Sequence, residues 1–461
     1  MKNFTTTLLF LLFTNFAISQ SEINREAFQV FKEHYNNDRF ENIFNYFSPE
    51  MQNALSLENA KQFFFSLKKE NGIIKSESLV KVESNDAAVY KVDFESQQFS
   101  INFSVNENRK INGFIIKPFV EENKATIING LSDYPNEIAE MIYLHSKNYP
   151  NRTQLSIALI ENEKVNYYGV LIENDTLKSA NNQNKVFEIG SITKVFTSTV
   201  LASLVIDKKI KLRDFVNKFY NFSFKDNKKI TFLELSNHTS GLPKLPVNFK
   251  ISNFQNPYKN YKNDDLNEFL SKFLQLNNIP IKYNYSNLGA GLLGHTLGLS
   301  QKQSFVKLLQ NKVFDKYGMN NSFTNLDDCK NSIVKGLDKN GNEVSNWEFD
   351  VLFGGGGILS TTEDLAKFAK AQFNTKNKEL QLSRNPTFEI DENMKIGLGW
   401  HILKSENEFN LIWHNGGTGG YSSSMVLNTK KKSGVIVLSN CANANDSIDQ
   451  LCFELLKIAK N

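Results

Sequence analysis

Residues 187–198 read FEIGSITKVFTS: a strand-like approach, a glycine, and then an apolar run with helical period that continues to Ile206. A helix that begins at Ser191 places Lys194 one turn further on, and residues three apart share one face of a helix. The amine then lies beside the hydroxyl. Because free N–H groups and the helix dipole favour negative charge at a helix N-terminus, this turn can supply a nucleophile, a base and part of an oxyanion site.

The Ser-x-x-Lys spacing alone carries little weight, because it recurs elsewhere in the chain, where it is typical of a solvated helix face. The other pairs are Ser66/Lys69, Ser78/Lys81, Ser304/Lys307 and Ser332/Lys335. Context separates Lys194 from these lysines, since Val195, Phe196 and Val200 follow it and indicate a buried helix. A lysine in a buried turn is therefore the candidate for chemistry.

Length and composition predict a globular protein of two domains. The chain has 461 residues, of which 40% are hydrophobic and 22% charged, enough to bury a large core. The net charge is +4 with acidic and basic residues well mixed, which argues against a nucleic-acid partner. Cys329, Cys441 and Cys452 show neither zinc-like clustering nor a disulfide framework, although one Cys441–Cys452 bridge stays open.

The N-terminus, residues 1–19, has the three parts of a secretory signal peptide: a basic start, the apolar run LLFLLF and a small-residue end before Gln20. The apolar run is too short to span a bilayer, and no other stretch approaches about 20 apolar residues. We therefore expect a periplasmic or secreted protein with no membrane span after signal removal.

Residues 20–118 predict a small α+β domain, because apolar residues recur first at helical spacing and then with the period of two that strands show. The alternating stretches are residues 88–94 and 99–105. This part resembles the small α+β domains of unknown function that precede some secreted hydrolases. It contains no catalytic constellation, and His34 is interpreted as a surface residue.

Residues 119–134 read as a polar linker, and residues 135–461 form the second predicted domain. Its predicted strands are residues 153–160, 165–172, 409–413, 422–427 and 434–438, and its first and last helices cover residues 135–148 and 446–459. Strands at both ends with helices between them predict an α+β fold, in which distant segments complete one antiparallel sheet flanked by helices and a large helical subdomain.

Two further stretches have the composition of a site. Residues 283–287 read YNYSN and precede an apolar helix, whereas residues 413–421 read WHNGGTGGY and place a histidine and close-packing glycines at a strand end. Each also has a structural interpretation: Asn287 as a helix cap, the glycines as a turn, and His414 as a packed strand residue.

Together and in this order, the three stretches resemble the motifs of the serine β-lactamase and penicillin-binding-protein superfamily: Ser-x-x-Lys, Tyr/Ser-x-Asn and Lys/His-x-Gly. The closest match is the class C-like branch, which includes β-lactamases, D-alanyl-D-alanine carboxypeptidases, esterases and peptidases. The resemblance runs from about Pro135 to the C-terminus. It includes HTSGLP at residues 238–243 and GGGILSTTEDL at residues 355–365, in which His238 belongs to a structural turn.

The resemblance implies an acyl-enzyme mechanism without a metal or organic cofactor. Ser191 attacks a carbonyl, Lys194 and Tyr285 exchange its proton, and Asn287 holds Lys194 and the substrate amide. The amides of Ser191 and Gly417 form the oxyanion hole, with Gly416 beside them on the substrate side. A free lysine titrates near 10.4, so Lys194 must be desolvated or near positive charge to act as a base, and the same cations favour a Tyr285 phenolate.

His414 replaces the lysine that β-lactamases usually have in the third motif, and we expect it to give a pH-dependent charge for a substrate carboxylate. The expected activity is that of a D-Ala-D-Ala carboxypeptidase, peptidase or esterase on a small molecule, peptide or ester, cell-wall peptides included. The alternatives are a class C-like β-lactamase and a penicillin-binding sensor that acylates without efficient turnover. His401, His295 and His145 have no supporting neighbours, and the loops at residues 243–280 and 325–353, where specificity is expected, carry no signature.

Overall fold

The structure, a computed structural model, describes residues 23–82, 87–106, 108–119, 127–250, 253, 255–276, 281–405 and 408–459. The predicted signal peptide, residues 1–19, lies outside these residues. Within the described ranges, no helix is long and apolar enough to cross a membrane. The chain divides into two compact units, Met1–Asn123 and Lys124–Asn461.

The first unit is an antiparallel sheet with four helices before it. The helices are α1 (23–36), α2 (Phe40–Asn45), α3 (Pro49–Ala54) and α4 (Leu57–Asn71), and the strands are β1 (Ile74–Val82), β2 (Ala87–Phe94), β3 (Gln98–Val105) and β4 (Ile111–Pro118), paired in that order. The strand alternation buries every second residue of β3, and the helices add aromatic rings to the same core. Phe28 stacks on Tyr90, for example, with ring centroids 4.3 Å apart. The predicted small α+β domain is confirmed.

The second unit is organised by a ten-stranded sheet. Its strands are β5 (Ile128–Asn129), β6 (Gln154–Glu161), β7 (Lys164–Glu173), β8 (Thr176–Ala180), β11 (Phe388–Glu389), β12 (Met394–Ile396), β13 (His401–Ser405), β14 (Glu408–Gly417), β15 (Ser422–Asn428) and β16 (Ser433–Ser439). The order is β11-β12-β13-β14-β15-β16-β6-β7-β8-β5, and a separate short ladder joins β9 (Phe187–Glu188) to β10 (Leu359–Ser360). Because β16 pairs antiparallel with β6, the two ends of the unit complete one sheet, as predicted.

Helices cover both faces of this sheet. They are α5 (Asn136–Ser146), α6 (Thr193–Ile206), α7 (Phe232–Ser236), α8 (Asn263–Glu268), α9 (Asn287–Ser300), α10 (Phe305–Leu309), α11 (Asp315–Tyr317), α12 (Thr362–Phe373), α13 (Lys378–Arg384) and α14 (Asn445–Ile458). Successive side chains of a strand point to opposite faces. Val435 and Val437 accordingly pack with α5 and α14, whereas Ile436 and Leu438 belong to the core that holds α6, α9 and α12.

Helix α6 lies at the centre of the larger core. Every residue from Thr193 to Leu204 is buried, so the helix has no solvated face and reads as apolar all round. Lys194 is its second residue and shares this burial. Because α6 is packed between the sheet and the helical subdomain, the turn before it, which carries Ser191, is held in place.

The start of the second unit differs from the predicted linker at residues 119–134. Ile128 and Asn129 form β5, which pairs in parallel with β8, and Ile127 and Leu131 are buried in the core beneath it. Residues 120–126 lie outside the described residues. The three aliphatic residues Ile127, Ile128 and Leu131, in a mostly polar stretch, are too few to show a periodic pattern, which is why the strand reads as linker.

The cysteines do not form the bridge that the sequence left open. Cys441 and Cys452 are both free and buried, as is Cys329. Burial raises the pKa of all three thiols, because the apolar surroundings disfavour the thiolate. These residues are packing groups of the core.

We expect a fragment of residues 124–461 to fold alone, and a fragment that begins at Ser132 to be less stable by about 3 kcal/mol. The shorter fragment lacks Ile127 and Leu131, which are 5% and 2% exposed, and burying one such side chain contributes about 1.5–3 kcal/mol. Urea unfolding of both fragments measures the difference. Equal stability would show that β5 adds nothing to the sheet.

Candidate active site

Ser191 lies in a tight turn between β9 and α6. Gly190 has φ 51° in the left-handed region, and residues Gly190–Ile192 form a 3-10 turn before α6 begins at Thr193. A side chain at Gly190 would lie 2.7 Å from the Gly417 nitrogen, so only glycine fits. The α-helix therefore begins two residues later than the sequence predicts, and the 3-10 turn keeps Ser191 beside Lys194.

Lys194 is a buried amine within reach of Ser191. Its Nζ lies 2.8 Å from Ser191 Oγ and donates to the carbonyl oxygen of Gly355 at 2.7 Å. The side chain is 1% exposed, and among the described residues no carboxylate forms an ion pair with it. Burial first, and then the positive charge of Lys244, hold the pKa of Lys194 well below its usual value. A neutral amine here can accept the serine proton.

Tyr285 closes the other side of the serine. The Lys194 Nζ lies 4.8 Å from the centre of its ring. The ring keeps some exposed surface, but its hydroxyl lies deep enough that burial raises the pKa of the phenol, opposed in part by a hydrogen bond with Ser191. The prediction of a phenolate is therefore wrong for the resting site: a neutral Lys194 supplies no positive charge, and burial keeps Tyr285 protonated.

The loop that carries Tyr285 is held by His238. The backbone oxygen of His238 accepts from the Asn284 amide at 2.8 Å, and its Nδ1 accepts from the Ser286 amide at 3.2 Å. Burial keeps the pKa of His238 well below its usual value. The imidazole is neutral with its proton on Nε2, which confirms the structural interpretation of the HTSGLP stretch.

Asn287 is the first residue of α9 and lines the same pocket as Ser191. Its Nδ2 donates to the hydroxyl of Tyr258 at 2.9 Å, and its Oδ1 is buried without a partner. The expected contact with Lys194 is absent, because the carbonyl of Gly355 holds that amine instead. Tyr258 comes from a loop that gave no sequence signal, so the competing contact was not predictable.

The end of β14 is locked against the serine turn. A side chain at Gly416 would meet the Ile189 oxygen at 2.1 Å, and Ser423 Oγ donates to that same oxygen at 2.9 Å. Asn445 Nδ2 donates to the Gly416 oxygen at 2.8 Å. Gly417 and Ser191 consequently line one pocket, as two amide donors of an oxyanion hole must.

His414 does not supply the expected charge. The residue is 1% exposed. Its Nδ1 donates a hydrogen bond to the backbone oxygen of Asn415 at 2.6 Å, and its buried Nε2 has no partner among the described residues. Burial holds the pKa of His414 well below its usual value. The prediction of a pH-dependent cation for a substrate carboxylate is wrong: His414 offers a neutral acceptor nitrogen.

His401 is a site residue that the sequence analysis missed. Its ring lies 5.3 Å from that of His414, and its Nε2 lies 2.8 Å from the hydroxyl of Tyr283. The signal that could have found it is strand register, since β13 pairs with β14 and sets His401 opposite Trp413. The remaining histidines of the second unit lie elsewhere: His145 pairs with Glu454, and His295 packs near Tyr220.

The pocket beside Ser191 has a polar side and an apolar wall. Its polar side is the serine turn with Asn287 and Gly417, and its apolar wall consists of Tyr258, Trp347, Phe349 and Leu352. Tyr258 stacks on Phe349, with ring centroids 4.5 Å apart. The wall comes from the two loops at residues 243–280 and 325–353, where the sequence gave no signature.

The fold and the Ser-Lys-Tyr arrangement are those of serine hydrolases. The family model described as "Beta-lactamase" matches residues 147–451, and that described as "Protein of unknown function (DUF3887)" matches residues 29–114. The chain therefore belongs to the Beta-lactamase family, with a DUF3887 domain before it. This confirms the superfamily that the three motifs predicted.

Related proteins carry several names. A "Beta-lactamase" of Pseudomonas fluorescens is 26% identical over 54% of this chain and 69% of its own length. "Beta-lactamase-like protein 4" of Dictyostelium discoideum is 28% identical over 60% of this chain, and "Protein flp" of Staphylococcus aureus (strain N315) is 26% identical over 62%. The matches span only 53% and 59% of the length of the latter two relatives, so the activities of those whole proteins are not assigned to this chain.

A solved structure shares the fold. The crystal structure titled as a beta-lactamase/D-alanine carboxypeptidase from Pseudomonas syringae aligns with a TM-score of 0.60 at 19% identity, over 70% of this chain and 99% of that one. The likeness confirms the predicted α+β architecture.

The buried histidines predict acid sensitivity. Burial lowers the pKa of His401 from 6.5 to about 4. Below 6.5 the unfolded chain binds a proton that the folded chain does not, so this contribution to stability is present above 6.5 and is lost as the pH falls towards 4. We expect His401→Gln to reduce the acid slope of the free energy of unfolding by up to about 1.4 kcal/mol per pH unit.

Urea unfolding between pH 7 and pH 5 measures that slope for the wild type and the variant. His145→Gln is the matched control, because this histidine only pairs with Glu454 outside the buried cluster. If His401→Gln keeps the full wild-type slope, the residue is protonated in the folded state.

Proposed function

We propose that this protein is an exported serine hydrolase that forms a covalent acyl-enzyme on Ser191, of the D-alanyl-D-alanine carboxypeptidase, peptidase or esterase kind. The observation that carries the proposal is the 2.8 Å separation of Lys194 Nζ from Ser191 Oγ, with the amine buried and its pKa lowered. A base must lie within hydrogen-bond reach of the proton that it removes and must be unprotonated at the working pH. Lys194 meets both requirements.

The chemistry proceeds in two halves. Lys194 takes the proton of Ser191 while Oγ bonds to the substrate carbonyl carbon, and the amides of Ser191 and Gly417 stabilise the oxyanion. The Tyr285 phenol donates its proton to the leaving group and regains one from Lys194, which leaves acylated Ser191 and a neutral base. In the second half, water takes the place of the serine: it gives a proton to Lys194 and attacks the acyl carbon. The bond to Ser191 Oγ then breaks, and Oγ regains a proton by the same route through Tyr285.

The surroundings favour a neutral substrate group near the third motif. His414 is buried with an unprotonated Nε2, so it gives no charge to a carboxylate. The aromatic wall of Tyr258, Trp347 and Phe349 suits a flat or apolar acyl group. Among the proposed kinds of substrate, these features fit a neutral ester, or a peptide without a free carboxylate at this position, better than a β-lactam or a C-terminal D-alanyl-D-alanine peptide, since both of these carry a carboxylate that needs a cation.

β-Lactam hydrolysis is the second candidate, because the family and the Pseudomonas fluorescens relative carry that name. A penicillin-binding sensor is the third, since it would use the same acylation and lack efficient turnover. Steady-state turnover of a chromogenic ester and of a chromogenic cephalosporin separates the three. Ester turnover supports the hydrolase, cephalosporin turnover the β-lactamase, and a single acylation event the sensor.

We expect Ser191→Ala to abolish acylation and Lys194→Ala to slow it by about 10²–10⁴-fold, the usual contribution of proton transfer. Mass spectrometry after incubation with a panel of acylating probes detects the adduct and its site. Ser332→Ala is the matched control, since this serine also precedes a lysine by three residues but donates only to the Cys329 oxygen. Full acylation of the Ser191→Ala protein would remove the assignment.

Export is also part of the proposal. We expect the mature protein to begin near Gln20, because the small residues before it suit signal peptidase. N-terminal sequencing of protein from the periplasm or medium of a native or Gram-negative host tests this. A chain that keeps Met1 and stays in the cytoplasm would contradict it.

A further inference from the structure

A buried carboxylate lies three residues before the nucleophile. Glu188 is 3% exposed, and its Oε1 accepts from Asn346 Nδ2 at 2.7 Å and from the Trp347 amide at 2.9 Å. Its Oε2 is buried without a hydrogen-bond partner. Burying a carboxyl group costs free energy unless its oxygens accept hydrogen bonds or pair with a positive charge.

The groups around Glu188 all belong to the walls of the active site. Trp347 lines the Ser191 pocket, and Asn346 also donates to the hydroxyl of Tyr421 at 2.9 Å, just beyond β14. Thr418 follows Gly417, and its buried hydroxyl lies near Glu188 without a hydrogen-bond partner in the described part of the chain. Glu188 therefore lies between the serine turn, the loop of the aromatic wall and the end of β14.

The carboxyl has no counter-charge. Among the described residues, no lysine or arginine forms an ion pair with Glu188. The side chains that face it are the Tyr421 phenol, the Thr418 hydroxyl and the Asn346 amide, and its neighbour across the β9–β10 ladder is the apolar Leu359. A change in the charge of Glu188 therefore changes the strength of the two hydrogen bonds that it accepts, from the Asn346 side chain and from the Trp347 amide.

We propose, on the basis of the acyl-enzyme function above, that Glu188 is a positioning residue: its carboxylate holds the Asn346–Trp347 segment against the serine turn and so sets the affinity of the pocket for a bulky acyl group. The interaction acts on Trp347 and not on the reacting atoms. It therefore affects the KM of substrates that reach the aromatic wall, and leaves the turnover of small acyl groups unchanged.

The same geometry gives the residue a pH signature. Burial raises the pKa of Glu188 to about 7, opposed in part by the nearby Thr418 hydroxyl and by the hydrogen bonds from Asn346 and the Trp347 amide. Above this value the ionised oxygen accepts charge-assisted hydrogen bonds, which are about twice as strong as neutral ones. Below it the protonated group holds the wall less firmly, so the KM for a bulky ester rises as the pH falls through about 7.

Glu188→Gln tests the proposal, because the amide keeps the shape and one acceptor oxygen but cannot ionise. Kinetics with a phenylacetyl ester and an acetyl ester of the same leaving group, from pH 5.5 to 8.5, compare this variant with the wild type. As the pH rises through about 7, we expect the wild-type KM for the phenylacetyl ester to fall about 3–10-fold. The KM of the variant should stay at every pH near the high value that the wild type has in acid. The acetyl ester should show the same kcat in both.

Glu343→Gln is the matched control, since it removes a carboxylate of the same loop that pairs with Arg152 at the surface. It should follow the wild type. If Glu188→Gln follows the wild-type KM profile as well, Glu188 is only a packing group. If the wild type itself is not acylated on Ser191 by either ester, the proposed function fails, and the following spectroscopic test still decides the role of Glu188.

Tryptophan fluorescence against pH gives that test without substrate. We expect a transition near pH 7 that is lost both in Glu188→Gln and in Trp347→Phe, because the carboxyl contacts the amide of Trp347. Should Glu188→Gln fail to fold, the wild type and Trp347→Phe decide alone. A wild type without this transition, or a transition that survives in Trp347→Phe, would overturn the proposal.

Discussion

The burial of Lys194 without a counter-charge is the constraint on which the rest of the site depends. A lysine in solution is protonated at neutral pH and cannot act as a base. Helix α6 removes its amine from water, and among the described residues its hydrogen-bond partners are the carbonyl of Gly355 and the hydroxyl of Ser191. Burial also lowers the pKa values of His238, His401 and His414, so the histidines around it stay neutral.

Much of the fold could be predicted from periodicity and motif order. The period of two located β2 and β3, and strand-like stretches at both ends of a helical region indicated one sheet built from distant segments. The short elements could not be found in this way. β5 has two residues, and β9 and β10 also have two each, so none is long enough to show a period. Their pairing is decided by the core around them.

The residues of the candidate site could be named from the sequence, but their electrical state could not. Lys194 and His414 both lie in motifs with recognisable spacing, yet charge depends on burial, which a motif does not report. His414 was expected to titrate because an isolated histidine does. Contacts made by loops without a sequence motif could not be predicted either, and the hydrogen bond between Asn287 and Tyr258 is an example.

The pairing of β16 with β6 also constrains the order in which the catalytic unit can be built. β6 precedes Ser191 in the chain, whereas its neighbour in the sheet, β16, follows all of the helices between α6 and α13. Non-local pairing of this kind slows folding, because the two segments must meet before their contacts can stabilise anything. A growing chain therefore holds the apolar α6 without its complete sheet until β16 has been made. The nucleophile and its base are assembled only after that point, and a chain that stops short of β16 exposes this apolar helix to chaperones and proteases.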